Sequence, residues 1–115
     1  MTNPISPDHY LTHPSGIECI DITRHHTFTI GNAIKYLWRA GQKGDRIEDL
    51  RKAAQYLDWA AEDDERVLFH WNDFLIWHGR TENIRDEDQV IYWILTDELC
   101  EARLMLAELI ESIDG

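Results

Sequence analysis

The sequence predicts an all-α protein, and three observations support that fold class. Apolar residues recur every three or four positions through most of the chain beyond residue 29. All three prolines lie within residues 1–16, so no proline interrupts a helix further along. The segment GQKGD at residues 41–45 combines glycines that suit a helix C-terminus with an aspartate that suits an N-terminus. We therefore expect a helical bundle with a central antiparallel helix hairpin, an irregular N-terminal arm and a long C-terminal helix.

The two helices of the expected hairpin follow from residue spacing. Residues 30–43 (IGNAIKYLWRAGQK) form a helix with one apolar and one polar face, which ends through Gly41 and Gly44. Asp45 is the predicted N-cap of the second helix, Arg46 to Glu62. One stripe of the second helix is expected to be buried, namely Ile47, Leu50, Ala53, Ala54, Leu57 and Ala61. The short connection makes the two helices antiparallel neighbours.

The C-terminal half is predicted to be helical as well. When residues 67–78 (VLFHWNDFLIWH) are drawn as a helix, nearly all of its sides carry apolar residues, and we expect a helix here in preference to a strand. A polar turn over residues 80–88 precedes a final helix of about 25 residues with apolar residues at helical spacing. The chain, residues 1–115, is expected to form a single domain in which residues 58–115 are an acidic helical extension.

Composition limits the class of protein. The chain has 115 residues, 43% of them hydrophobic, and a formal net charge of −11, which fits a folded acidic domain. It contains no run of 18 apolar residues, so we expect no membrane partner. The N-terminus lacks the basic start and apolar core of a signal peptide. We therefore expect a cytoplasmic location, with Cys19 and Cys100 as reduced thiols.

The charge is unevenly distributed, and its distribution indicates the kind of ligand. Residues 58–115 carry sixteen acidic and four basic side chains, whereas six of the eleven cations lie between Lys35 and Lys52. The acidic half should repel nucleic acid, whose binding depends on many phosphate contacts. A small anion needs only two or three donors in one pocket. The pattern therefore favours a small phosphate-bearing ligand, such as a nucleotide, over DNA or RNA.

The polar face of the first helix is the predicted binding site. At helical pitch this face gathers Asn32, Lys35, Tyr36, Arg39 and Lys43. Across a shallow groove, the second helix is expected to present Asp49, Lys52 and Tyr56. Phosphate contacts are expected from the cations Lys35, Arg39, Lys43 and Lys52. Nucleoside contacts are expected from Asn32, Tyr36 and Tyr56. A merely solvated face with the same spacing is the alternative interpretation.

The N-terminal segment holds a second group of candidates. Residues 17–22 fit either a helical turn or a strand edge. His9 and the histidine four residues later lie between two prolines, which disfavour the helix that a metal site at this spacing needs. We expect instead that His9 and Tyr10 fold over the hairpin, close one side of the groove and supply a proton donor. Glu18 and Asp21 are further groove-lining or acid–base candidates.

Standard catalytic motifs are absent from the sequence. It has no Walker A loop, no GxGxxG turn and no Ser/His/Asp arrangement. The carboxylates Glu98, Glu101 and Glu108 fit a solvated acidic face better than a magnesium site. Catalytic residues therefore stay unassigned, no resident metal is expected, and Mg²⁺ is a cofactor only if the protein transfers phosphoryl groups.

The polar positions of the N-terminal half form an ordered series. It reads Pro7-x-His9-Tyr10, Gly16-Ile17-Glu18-x-x-Asp21, Gly31-Asn32-x-Ile34-Lys35-Tyr36-x-x-Arg39-x-Gly41-x-Lys43 and Glu48-Asp49-Leu50-x-Lys52-Ala53-x-x-Tyr56-Leu57. Over this stretch the chain resembles the SaV-like family, small proteins of tailed bacteriophages whose function is unknown. A domain of this type occurs in a phage nucleotide kinase that lacks the usual kinase motifs. The resemblance implies nucleotide binding in the host cytoplasm, with phosphoryl transfer onto nucleoside monophosphates as an activity.

Three functions stay open at this level. In an enzyme, Asp49 or Glu18 would hold Mg²⁺ or accept a proton. In a sequestering protein, the same groove would hold a nucleotide signal of the host defence without turnover. In an acidic decoy, the C-terminal half would bind a host protein by imitating the charge of nucleic acid. A homo-oligomer is also expected, because Trp71, Phe74 and Trp77 lie close together in a small chain.

Overall fold

The computed structural model describes residues 18–42, 44–67 and 85–114, and these residues form helices joined by turns, with no strand among them. The five helices are α1 (Cys19–Thr23), α2 (Phe28–Arg39), α3 (Arg46–Glu62), α4 (Asp86–Leu95) and α5 (Leu99–Asp114). The predicted all-α bundle is confirmed. Residues 17–22, for which a helical turn and a strand edge were both open, contain the start of the short helix α1.

Helix α2 begins and ends through local capping. The Thr27 hydroxyl accepts a hydrogen bond from the Ile30 N–H and so caps the first turn. The helix ends at Arg39, and Gly41 and Gly44 follow with φ values of +80° and +79°, as predicted. Only glycine adopts this left-handed conformation without steric cost, which explains why the chain reverses direction here.

Helix α3 packs against α2 as the predicted hairpin. Its N-cap is Asp45, whose carboxylate accepts hydrogen bonds from the N–H groups of residues 47 and 48. Arg39 meets Asp49 near the turn, and Thr29 donates a hydrogen bond to Glu65 at the far end, so the two helices run antiparallel.

The buried stripe of α3 differs in part from the prediction. The fully buried apolar side chains are Leu50, Ala53, Leu57 and Ala60. Asp49 is also buried, at 3% exposure, whereas the predicted Ile47, Ala54 and Ala61 are only partly buried. The buried stripe therefore includes Asp49 and Ala60 in place of the expected Ile47, Ala54 and Ala61.

The length predicted for the C-terminal helix, about 25 residues, is wrong. The segment is divided into α4 and α5 at Asp97, whose φ is +62°. The Asp97 carboxylate accepts hydrogen bonds from the backbone N–H of Val67 and from the Arg66 guanidinium. These hydrogen bonds explain the break at Asp97. The helical repeat of apolar residues continues across the break and therefore does not predict it. Apart from its first residue, the predicted helix at 67–78 lies outside the described residues.

Buried side chains from all five helices form one hydrophobic cluster. Examples from successive helices are Ile22, Leu37, Leu57, Ile94 and Leu106, each at most 1% exposed. The acidic C-terminal half thus contributes apolar residues to the same core as the hairpin. Within the described residues, the helices are too short or too polar to cross a membrane.

Candidate functional site

The turn end of the hairpin is closed by a group of ion pairs that we call the ion-pair cluster, formed by Arg46, Arg85, Glu87 and Asp88. Arg46 binds the Glu87 carboxylate with two hydrogen bonds, at 2.7 and 3.2 Å. Arg85 binds both oxygens of Asp88, at 2.9 and 3.1 Å. The two carboxylates are buried, at 2% and 1% exposure. The Arg46–Glu87 pair connects α4 to the hairpin, whereas Arg85 and Asp88 both lie at the start of α4.

Arg85 also completes the C-terminus of α2. Its guanidinium donates to the backbone carbonyls of Leu37 and Ala40, at 3.2 and 3.1 Å. These carbonyls have no partner within the helix and lie at the negative end of the helix dipole, where a cation is favourable. The ion-pair cluster is therefore structural. Residue spacing gives no sign of the cluster, because Arg85 is 45 residues away from Ala40 in the chain.

The outer face of the hairpin combines stacked aromatic rings with ammonium groups. The rings of Tyr36 and Tyr56 are stacked, with centroids 5.8 Å apart and an angle of 15° between their planes. The ammonium nitrogens of Lys35 and Lys52 lie 5.3 and 5.5 Å from the Tyr36 centroid, within cation–π distance. Four of the predicted groove residues are thus brought together. The two tyrosines contact each other, which the groove hypothesis did not anticipate.

The stack continues into a surface that we call the aromatic platform, formed by Phe28, Tyr56 and Trp59. Tyr56 makes edge contacts with Phe28 at 6.0 Å and with Trp59 at 5.4 Å. Phe28 is 75% exposed and Trp59 is 45% exposed. Neither was among the predicted site residues. Trp59 follows Lys52 and Tyr56 at helical spacing, so the sequence contained the signal for it.

A cavity of about 440 Å³ lies between the α1 region and α2. The polar residues that line it are Glu18, Thr23, His26, Thr27, Asn32 and Lys35. The Asn32 amide nitrogen donates to the Phe28 carbonyl at 2.7 Å, which fixes the amide. The Asn32 amide oxygen remains able to accept hydrogen bonds from a ligand. Three predicted residues, Glu18, Asn32 and Lys35, therefore line a cavity beside the groove where they were expected.

The cysteine in this cavity is not a candidate nucleophile. Burial raises the pKa of the Cys19 thiol to about 12, although the nearby Lys35 charge opposes that shift. The thiolate is the reactive form, so Cys19 stays protonated and inert near neutral pH. Cys19 and Cys100 are both free, in agreement with the expectation of reduced thiols.

Arg39 and Asp49 form an incomplete pair beside the stacked tyrosines. The Arg39 Nε lies 3.5 Å from the Asp49 Oδ2, and within the described residues these two buried atoms make no hydrogen bond. Burial raises the pKa of the Asp49 carboxyl, although the charges of Arg39 and Lys52 oppose that shift. Lys52 also pairs with Glu48 at 3.1 Å. Lys35 has no ion-pair partner in the part of the chain that the structure describes.

The remaining candidates are distributed differently. His9, Tyr10 and Lys43 lie outside the described residues, as do Trp71, Phe74 and Trp77. Asp21 is exposed on α1. Glu98, Glu101 and Glu108 are exposed, as expected for a solvated face. Over residues 18–42, 44–67 and 85–114, no three His, Cys, Asp or Glu side chains are arranged to hold a metal ion.

One of the comparisons with known proteins finds a match. A domain of a family described as being of unknown function, DUF3310, is found at residues 5–58. This range contains α1, α2 and most of α3, and therefore the cavity and the stacked tyrosines. No curated protein and no solved structure matches the chain. Function must consequently be argued from the site.

Proposed function

We propose that this protein binds a small phosphate-bearing ligand, a nucleotide, on the outer face of α2. The phosphate lies against Lys35 and Lys52, and Arg39 is a third cation nearby. The nucleoside enters the cavity beside Asn32. In the phage setting that the resemblance implies, the ligand is a nucleotide of the host cytoplasm, either a metabolic precursor or a defence signal.

The single observation that carries the proposal is the position of Lys35. Its side chain lines the cavity and also lies over the Tyr36 ring. A second ammonium group, that of Lys52, approaches the same ring. Lys52 pairs with the Glu48 carboxylate at 3.1 Å, whereas Lys35 has no ion-pair partner among the described residues although the chain has a net charge of −11. A phosphate beside the two ammonium groups supplies the partner that Lys35 lacks, and phosphate is an anion that Lys binds as a point charge.

The cavity supplies the second argument. Its volume of about 440 Å³ lies within the usual range of small-molecule sites, about 300–1,000 Å³. Its walls combine apolar side chains such as Ile20 and Phe28 with a few polar groups, the composition that is typical of ligand pockets. The Asn32 amide oxygen is the acceptor that a base amino group or a ribose hydroxyl requires.

Equilibrium binding of the four nucleoside monophosphates tests the proposal. At least one should bind, and Lys35→Gln should weaken its binding about tenfold or more, because a charge-assisted hydrogen bond is lost. Lys52→Gln should act in the same direction. The matched control is Arg103→Gln, which removes an exposed cation that pairs with Asp58 on another face. The corresponding unphosphorylated nucleosides should be insensitive to all three changes.

Calorimetry at constant ionic strength provides the measurement, since surface charge effects depend on salt. If no monophosphate, diphosphate or triphosphate binds, or if Lys35→Gln and Arg103→Gln are equivalent, the proposal is wrong. Mass spectrometry of small molecules released from the denatured protein identifies the ligand directly.

Turnover is tested separately from binding. Incubation with ATP, Mg²⁺ and each nucleoside monophosphate should yield a nucleoside diphosphate if the protein is a phosphotransferase. Recovery of unchanged nucleotide from a protein that binds it tightly would favour sequestration. Retention of a host protein by the Lys35→Gln variant, with loss on neutralising Asp63 and Asp64, would instead favour the acidic decoy.

A further inference from the structure

The aromatic platform is a contiguous exposed surface, and two of its three residues, Tyr56 and Trp59, do not line the cavity proposed for the nucleoside. Single exposed apolar residues are ordinary on protein surfaces, but contiguous ones usually indicate a binding surface. Phe28 and Trp59 are exposed at 75% and 45%, and both make ring contacts with Tyr56. The fold thus presents adjoining aromatic rings to solvent on one side of the hairpin. Planar rings of this kind are surfaces on which a nucleobase stacks.

The platform and the cavity share residues of α2. Phe28 lines the cavity and contacts Tyr56 of the platform. Lys35 lines the cavity and lies over Tyr36, which stacks on Tyr56 at 5.8 Å. Lys35 therefore contacts the cavity on one side and, through Tyr36, the ring of Tyr56 in the platform on the other.

We infer that the ligand carries two nucleobases, as a dinucleotide does, with one base in the cavity, the other on the aromatic platform and the linking phosphate at Lys35. This inference rests on the proposed nucleotide binding and specifies its substrate class. A mononucleotide covers the cavity and leaves the platform exposed. A ligand with two bases covers both, and its linking phosphodiester, which carries one negative charge, lies beside the Lys35 ammonium group.

The test compares ligands that differ in base number and carry the same number of phosphates. The dinucleoside monophosphates ApA, CpC, GpG and UpU each contain one phosphate, like AMP, CMP, GMP and UMP. At least one dinucleoside monophosphate should bind the full chain about tenfold more tightly than its matching mononucleotide, since stacking on an aromatic side chain strengthens binding by about this factor. Trp59→Ala should remove this advantage and leave the affinity for the mononucleotide unchanged.

Leu104→Ala is the matched control, because Leu104 is 56% exposed on α5, away from the platform. It should leave the affinities for both ligands unchanged. Circular dichroism of each variant checks that the helices are retained.

Separate results overturn the two proposals. If a mononucleotide binds through Lys35 but no dinucleoside monophosphate binds more tightly, the inference of a second base is wrong and the proposed nucleotide binding stands. The second base is also wrong if Trp59→Ala weakens the binding of both ligands equally. If none of the eight ligands binds, the inference of a second base is wrong, and the proposed nucleotide binding is wrong as well if no diphosphate or triphosphate binds. A dinucleoside monophosphate that binds, and that loses affinity with Lys35→Gln as well as with Trp59→Ala, supports both.

Discussion

Three carboxylates are buried among the described residues, and they fall into two regions that differ in how well they are paired. In the ion-pair cluster, Glu87 and Asp88 each receive two hydrogen bonds from an arginine. On the outer face of the hairpin, Asp49 meets Arg39 only at 3.5 Å, and its Oδ2 makes no hydrogen bond within the described residues. Both regions combine cations with buried carboxylates. Both oxygens of each carboxylate in the ion-pair cluster accept a hydrogen bond, whereas the Asp49 Oδ2 accepts none within the described residues.

The completeness of hydrogen bonding separates structural charges from candidate ligand-binding charges. Buried polar groups in native proteins nearly always find partners, so an unsatisfied one requires an explanation. The ion-pair cluster joins α4 to the hairpin, and both of its buried carboxylates are paired with an arginine. The charge of Lys52 acts on the Asp49 carboxyl, and Lys52 also lies over the Tyr36 ring, so Lys52 connects the unsatisfied pair to the proposed binding site. Local departures from full satisfaction are expected at functional sites.

The largest effect is expected from breaking the satisfied region with Arg85→Gln. This change leaves the Asp88 carboxylate, 1% exposed, without its cation and removes two hydrogen bonds to the end of α2. The free energy of unfolding should fall by about 3 kcal/mol, as when one partner of a buried ion pair is removed. Urea denaturation measures the loss.

The exposed pair between Arg103 and Asp58 supplies the control for this change. Arg103→Gln should cost less than about 1 kcal/mol, since surface ion pairs contribute little. Adding Asp88→Asn to Arg85→Gln should restore part of the stability. Equal losses for the two arginine variants would show that the ion-pair cluster does not hold the fold.

A smaller effect is expected at Asp97, where the paired carboxylate is less buried. The Arg66 guanidinium and the Val67 N–H hold the pKa of Asp97 below its usual value. A lowered pKa in the folded state stabilises the protein above the ordinary pKa of aspartate, and this contribution disappears as the pH falls. Asp97→Asn keeps a residue that tolerates the positive φ and should cost about 1 kcal/mol at pH 7. As the pH falls through this lowered pKa, the variant and the native protein should converge in stability.

At Asp49, replacing the carboxylate is expected to raise the stability of the protein instead of lowering it. Burial raises the pKa of this carboxyl, so its charged form is unfavourable in the folded state. Asp49→Asn removes that charge, and Arg39, whose side chain is 38% exposed, can be solvated without it. The variant should be slightly more stable than the native protein at pH 7. The difference should shrink as the pH falls toward 4, because the native carboxyl then takes up a proton. A loss of stability at pH 7 would mean that the Arg39 pair outweighs the burial.

The contrast between the two regions also explains what the sequence could predict. Periodicity and capping residues are local, so the hairpin, its N-cap Asp45 and the left-handed Gly41 and Gly44 followed from them. The break at Asp97 did not follow, because it depends on bonds to Arg66 and Val67, about thirty positions away. Arg85 was missed for the same reason.

The candidate site was predictable to a similar extent. Helical spacing correctly placed Lys35 and Tyr36 beside Lys52 and Tyr56. It did not show that the tyrosines stack on each other, nor that Asn32 and Lys35 face α1 across a cavity. Arg46 and Lys35 are both among the six cations between residues 35 and 52, and the sequence around them does not show that, of these two, only Arg46 is paired among the described residues. The partner that distinguishes them, Glu87, lies on α4 and is brought near only by the fold.

The smallest effect on stability is expected at Lys35. The same substitution separates the two regions most clearly, because it should weaken ligand binding and leave folding unchanged. Its ammonium group has no ion-pair partner among the described residues and contacts a ring at the surface. Lys35→Gln should therefore change the free energy of unfolding by less than about 0.5 kcal/mol, like most surface substitutions. In the presence of a nucleotide that binds, the melting temperature of the native protein should rise with ligand concentration, and that of the variant should rise much less. Arg85→Gln should show the reverse: a low melting temperature and a ligand-induced rise like that of the native protein. If Lys35→Gln destabilised the free protein as strongly as Arg85→Gln, Lys35 would be a structural cation, and the distinction between the two regions would fail.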